Sequence, residues 1–430
     1  AGGPGGGGSN ASDAGASGSA LRLELWATAL PLAVFEAFVA SSVDAAGSFG
    51  EVAQPNGGHR NGRLETRTVA LNPIRFLGVA HVVLFHESMA RPGSPWQGLA
   101  ATGGHWVPFF FALSGFALHA AQRGAARVPW AGFLRKRLGG TYLGYGIGTL
   151  LGLLAEEEPL QALREYALGG DLPGFMLVDS WLHPYGTTAP NGPAWFLCTL
   201  FFYWLRFPQW YVCIQTLRRP RCAMLFAWLA TFGLPLAHAA AAYGAVHQGR
   251  SAAPGGSSIR PPGDFAAFHP LANWPPFVIG LCLARLMPEL RLWRLPRPLR
   301  RCAASAALAA GLALSAAMPL PGSLALLTEK GPLLLPLFGV LLLFVPNGED
   351  VLLRPDLLES GPAVWLGAVS AELFVLHWPV RRLLARFWTD PPPLAPTLAA
   401  QLAAAAALHA VQQQLSGGCR RPGRVPSPWG

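Results

Sequence analysis

The sequence predicts an all-α protein, a polytopic transmembrane helix bundle of about ten spans with both termini cytosolic. Three observations carry that expectation. Hydrophobic residues make up 52% of the 430 and charged residues only 13%, roughly half the ~25% that a soluble domain carries. Apolar segments, each about long enough to cross a bilayer, recur from residue 69 almost to the end. The cations between those segments alternate between crowded and sparse loops, as membrane orientation requires.

Taken in chain order, residues 1–20 are rich in Gly, Ser and Ala and read as a flexible tail. Residues 21–40 are apolar, but Glu24 and Glu36 favour an amphipathic helix at an interface or against a partner, with an anchor as the alternative. Together these form an N-terminal region, 1–68. A membrane-embedded domain, 69–415, then carries spans near 69–89, 105–121, 138–155, 193–212, 222–246, 270–287, 301–318, 331–346, 362–380 and 394–415. The segment 247–268, with its Gly, Ser and Pro, reads as an irregular loop. Residues 416–430 form a short basic tail on the cytosolic side.

Arginine tests the span list. With a cytosolic N-terminus, 22 of the 32 Lys and Arg fall on inside segments and eight on outside ones. One invented or missing span midway would erase that bias. The formal net charge of +10 is therefore an orientation signal, and no reading module for nucleic acid accompanies it. The six cysteines are scattered without a CxxC or a histidine at zinc spacing, so no metal centre is expected.

Ionisable side chains inside a bilayer are costly and default to functional candidates. The first span holds Arg75, His81 and His86. Arg75 and His86 are eleven residues apart, almost three helical turns, so they share a face about 16 Å apart. His81 lies well round the helix. The ninth span holds His377, with Glu372 five residues earlier. A single intramembrane histidine is often only a hydrogen-bonding residue between helices, and His81, His119, His238 and His409 are read that way.

With these residues in place, NPIRFLGVAHVVLFHESM resembles the opening helix of acyltransferase family 3, the integral-membrane O-acyltransferases, through Arg75 and His86. VPFFFALSGFAL resembles that family's FF-x-L-SGF element through Phe110, Phe111, Ser114, Gly115 and Phe116. Arg135, Lys136 and Arg137 in FLRKRLGGTYLGY match its basic approach to the third span. Asn191, Pro193, Trp195 and Leu197 match an Asn-x-Pro-x-Trp-x-Leu segment. Phe277 and Gly280 match a Phe-x-x-Gly helix, and Gly367, Ser370 and His377 a late Gly-x-x-Ser…His helix. The pieces occur in family order over 70–380. Gly140 stands where many members carry a second Arg, Leu200 where one branch has Glu, and Ala371 where Tyr is usual.

The resemblance implies transfer of an acyl group, most commonly acetyl, from acyl-CoA to a hydroxyl of a sugar or lipid acceptor, with no permanently bound cofactor. Acyl transfer needs a base for the attacking hydroxyl and positive charge for the oxyanion or the donor's phosphates. His86 fits as base or as a transient acyl carrier, Arg75 as a guide for the donor, and His377 as completing the site. Arg135–Arg137 fit the CoA phosphates, while Ser114, Asn191, Trp195 and Ser370 are substrate-binding or structural motif residues. The alternatives are a transporter or channel, for which buried Arg and His and the NWPPF bend would suit a permeation path, and a catalytically inactive homologue. No internal repeat supports transport.

Overall fold

Helices account for nearly all of the regular structure because the chain offers apolar stretches without the alternation that a strand needs. The computed structural model describes residues 26–37, 68–168, 174, 176–182, 190–237, 240, 268–290, 292–317, 326–329, 331–388 and 391–417. Among these residues there is no strand. The expected flexible tail 1–20, the loop 247–267 and most of the basic tail lie outside them.

Twelve helices organise the described residues: α1 Trp26–Ala37, α2 Leu71–Met89, α3 Val107–Ala121, α4 Trp130–Leu154, α5 Pro159–Leu168, α6 Trp195–Thr216, α7 Pro220–Ala230, α8 Pro270–Leu286, α9 Arg297–Ala317, α10 Leu335–Phe344, α11 Gly361–Ala385 and α12 Leu394–Gly417. Proline opens α7 and α8, where its missing N–H has no helical partner to lose. The turns after α2, α3 and α10 reach Gly93, Gly124 and Gly348, all at positive φ.

Ten of these helices, all except α1 and α5, overlie the ten apolar segments. By length and composition, three helical stretches among the described residues suffice to cross a membrane: Pro220–Ala237, Gly361–Ala385 and Leu394–Leu415. The third segment departs from expectation. Its helix begins at Trp130, eight residues before the boundary expected at 138, so Arg135–Arg137 lie inside α4. Phe133 and Leu134 are buried while Arg135 and Lys136 are exposed. This first stretch is two-faced, with Phe133 and Leu134 on the packed side and the cations Arg135 and Lys136 on the open one.

Contacts fix relative directions. Along α2 and α11, Arg75 meets Gly367 and Ser370 while His86 meets His377, so the two run parallel. Gly148 and Leu154 of α4 meet Val375 and Arg386 of α11, again parallel. In α12, Gln401 meets His377 and His409 meets Glu372, which is antiparallel. Phe111 and His119 of α3 meet Phe196 and Tyr211 of α6, a parallel pair. These directions alternate along the chain as successive crossings would.

The core is aromatic. Tyr203, Phe207, Trp210 and Tyr211 of α6 are fully buried, beside Phe111 and Phe277. Within 21–40 the described residues form α1, which packs against the rest of the chain. Phe35 stacks on Trp274 at 5.3 Å and meets the edge of Trp210 at 5.9 Å. Glu36 accepts from Arg206 Nε at 3.0 Å and Trp210 Nε1 at 2.9 Å.

One loop brace carries a pH prediction. Asp350, between α10 and α11, accepts from the backbone N–H groups of Ser305, Leu352 and Leu353. Burial raises its pKa, but these N–H groups and the Ser305 hydroxyl outweigh burial and hold the carboxyl below its ordinary value. A depressed pKa contributes stability that is present above the unfolded value, about 3.9, and lost as pH falls through the folded one. Asp350→Ala is expected to cost about 1–3 kcal/mol by removing the charged acceptor that these N–H groups share. Thermal unfolding in detergent measures that loss, and the wild-type advantage should shrink towards acid pH.

Candidate functional site

Three helices build the site. On α2, the eleven-residue spacing puts Arg75 and His86 on the side facing α11. At the first level, Arg75 Nε donates to Ser370 Oγ at 2.7 Å, and its Nη2 donates to the Gly367 carbonyl. Ser370 Oγ donates to that same carbonyl at 2.7 Å. Gly367 permits this approach: a Cβ there would lie 2.4 Å from Asn72 Cβ. Arg75 is thus tied to helix backbone, a planar two-point contact that Lys could not reproduce.

At the second level, His86 Nδ1 lies 2.8 Å from His377 Nε2, with the ring planes inclined at 23° to each other. His377 Nδ1 is 2.7 Å from the Phe374 carbonyl oxygen and 3.3 Å from that of Leu373. Carbonyls only accept, so the His377 proton sits on Nδ1. With both rings neutral, His377 Nε2 accepts from His86 Nδ1–H, and His86 keeps a lone pair on Nε2. Among the described residues, none bonds that nitrogen. The fold has selected the His86 tautomer in which Nε2 is the basic atom.

Two residues beside this pair were not singled out from sequence. Glu87 and Gln401 are both 0% exposed. Glu87 accepts from Gln401 Nε2 at 2.8 Å and pairs with Arg91, while Gln401 Nε2 also donates to the His377 carbonyl at 2.9 Å. Glu87 carried a signal, since any carboxylate in an apolar helix does. Neutral Gln401 carried none. His409, read as structural, meets Glu372 at 3.0 Å.

The remaining residues are spread out. Asn191 is fully buried and donates to the Val375 carbonyl at 2.9 Å, two residues before His377. Trp195 packs on Phe268 with centroids 5.1 Å apart. Ser114 is half-buried on α3, where its neighbour Gly115 meets α8. Arg137 lies over the Phe133 ring at 5.7 Å, and Arg135 and Lys136 are exposed. These three cations sit eleven residues or more before Gly148, which touches Asn191 and Val375. They are about 16 Å or more from that level along α4, so they do not join the histidines.

A cleft opens at the other end. Its volume is about 780 Å³, and its lining includes Glu156, Glu157, Glu165, Tyr166, Arg381 and Arg386. Arg381 stacks on Trp378 at 4.9 Å, and Trp378 meets the His86 ring edge-on at 5.4 Å. No group of three or more metal-ligating side chains occurs among the described residues.

Comparison with known proteins then adds one match. A family model described as an acyltransferase domain matches residues 69–409. No curated protein and no solved structure matches.

Proposed function

The chain belongs to acyltransferase family 3, a membrane-associated family, and from that membership we propose that it is a multi-pass O-acyltransferase moving an acyl group, acetyl in the first instance, from acyl-CoA to a hydroxyl of a carbohydrate or lipid acceptor. The observation that carries this reading is the His86–His377 pair with its assigned protons. His86 Nε2 takes the hydroxyl proton as the oxygen attacks the thioester carbonyl. The imidazolium so formed keeps its Nδ1–H on His377 Nε2, which spreads the charge. Collapse of the tetrahedral oxyanion breaks the C–S bond, and the CoA thiolate recovers the proton. Imidazole suits both directions of transfer near neutral pH. A covalent route would use the same Nε2 lone pair as nucleophile.

Donor and acceptor arrive from opposite ends in this reading. The exposed cations Arg135 and Lys136, with Arg137, suit the donor's phosphates. The cleft lined by Arg381, whose guanidinium stacks on the Trp378 ring that in turn meets His86, suits a hydroxyl-rich acceptor. Arg75 orients the donor and anchors α2 on α11. The alternating helix directions and the arginine bias both favour ten spans with cytosolic termini.

The test is CoA release by purified protein in detergent, with acetyl-CoA and a panel of sugar and lipid acceptors. Turnover that requires an acceptor supports the reading. No turnover and no acyl-CoA binding would move the weight to transport or to an inactive homologue. In the active protein, Arg135→Ala/Lys136→Ala is expected to raise the donor KM about 10-fold or more, as loss of one or two charge-assisted contacts would. The acceptor KM should stay unchanged. Equal KM values for acetyl-CoA in variant and wild type would remove these cations from the donor site.

A further inference from the structure

We propose that Gln401, with Glu87, is a positioning residue that holds the histidine pair in register; this rests on the catalytic reading of that pair. The orientation of the Gln401 amide follows from its neighbours. The Glu87 carboxylate, paired with Arg91, and the His377 carbonyl are both acceptors, so the NH2 group must face them. One N–H goes to the residue beside His86 and the other to His377 itself. A single planar group on α12 thereby sets the separation of α2 and α11 at the level of the pair.

The ring of contacts is closed. Arg91 pairs with Glu87 and donates to the Pro392 carbonyl, in the turn that leads into α12. Pro392, Arg91, Glu87, Gln401 and His377 thus link three helices and a turn around His86. Glu87, Gln401 and His377 are at most 1% exposed, so water cannot replace a lost partner. The His377 ring is fixed from its own helix through Phe374. The register of that helix against α2 at this level is fixed by Gln401.

Replacing Gln401 by Leu keeps the volume and removes both donors. Loss of alignment on the scale of 1 Å costs about 10²-fold in the chemical step. The expected result in the full-length protein is therefore a kcat lower by about 10²-fold, with KM values for donor and acceptor within twofold, roughly RT ln 2 or about 0.4 kcal/mol. Combining it with Glu87→Gln should cost no more than the worse single variant, because both break one brace. A second readout needs no turnover: the rate at which diethylpyrocarbonate modifies His86, measured by peptide mass spectrometry at one pH. Without the brace, the Nδ1 proton is no longer held on His377, the two tautomers mix, and modification at Nε2 slows several-fold.

If the wild type turns over no acceptor, the catalytic reading fails while the modification rates still decide the brace. Should Gln401→Leu not fold, Gln401→Asn, which withdraws the amide by one methylene, is read in both assays with the same expectation. Wild-type kcat together with a wild-type modification rate would overturn the proposal. So would a loss confined to KM, or losses that add in the double variant.

Discussion

His86→Ala is expected to lower acyl transfer by about 10²–10⁴-fold, the range over which a positioned base contributes, while the protein stays folded. His86 is half-buried on α2, and removing its ring leaves His377 bonded to Phe374 as before. The consequence falls on chemistry more than on packing. His377 predicts a graded series. His377→Ala removes the acceptor that holds the His86 proton on Nδ1, so Nε2 is basic in only part of the population. His377→Gln can present a carbonyl oxygen in nearly the same place and should retain more activity than Ala. The double variant should be no worse than His86→Ala, since His377 acts through His86 and residues that act as a unit do not add. CoA release under saturating donor and acceptor measures the series. An acyl group found on His86 when the protein is incubated with donor alone would assign the covalent route instead. Activity retained in His86→Ala would remove the histidine pair from the mechanism altogether.

The site was partly legible because some of its logic is local. Arg75 and His86 share a face by helical period alone, and the structure turns that face to α11. The depth of the two levels followed from the same spacing. What no spacing shows is pairing across helices. Gln401 is an uncharged residue in an Ala-rich helix, and its importance arises only where α12 packs against both α2 and α11. Glu87 was visible in principle, but beside Arg91 it reads as an ion pair at a helix end. The start of α4 at Trp130 is hidden in the sequence for a related reason. Arg135 and Lys136 lower the local hydropathy, although Phe133 on the other face packs against Phe207 at 4.9 Å.

The FF-x-L-SGF and Phe-x-x-Gly elements show the same limit, and they carry the largest expected effect on folding. A Cβ on Gly115 would lie 2.1 Å from the Phe277 carbonyl oxygen, and one on Gly280 would lie 2.0 Å from that of Ala112. Both obstacles are backbone and cannot swing aside, so α3 and α8 must separate. Small residues at such crossings let helices pack closely where no hydrophobic force drives them together. Gly280→Ala is expected to cost about 1–3 kcal/mol or more from overpacking, seen as a lower unfolding temperature and a lower yield of folded protein. Gly115→Ala should cost about as much. The pair should cost less than the two separately, because one displacement of the helices makes room for both methyl groups. Gly140→Ala is the control: it lies on exposed α4 surface with nothing within 4 Å of its Cβ position, and it should gain up to about 1 kcal/mol from helix propensity. A loss at 280 beside a gain at 140 would place the cause at the crossing, since both substitutions remove a helical glycine and only one meets another backbone. Losses at both positions would show that α4 is also packed where it stands open here.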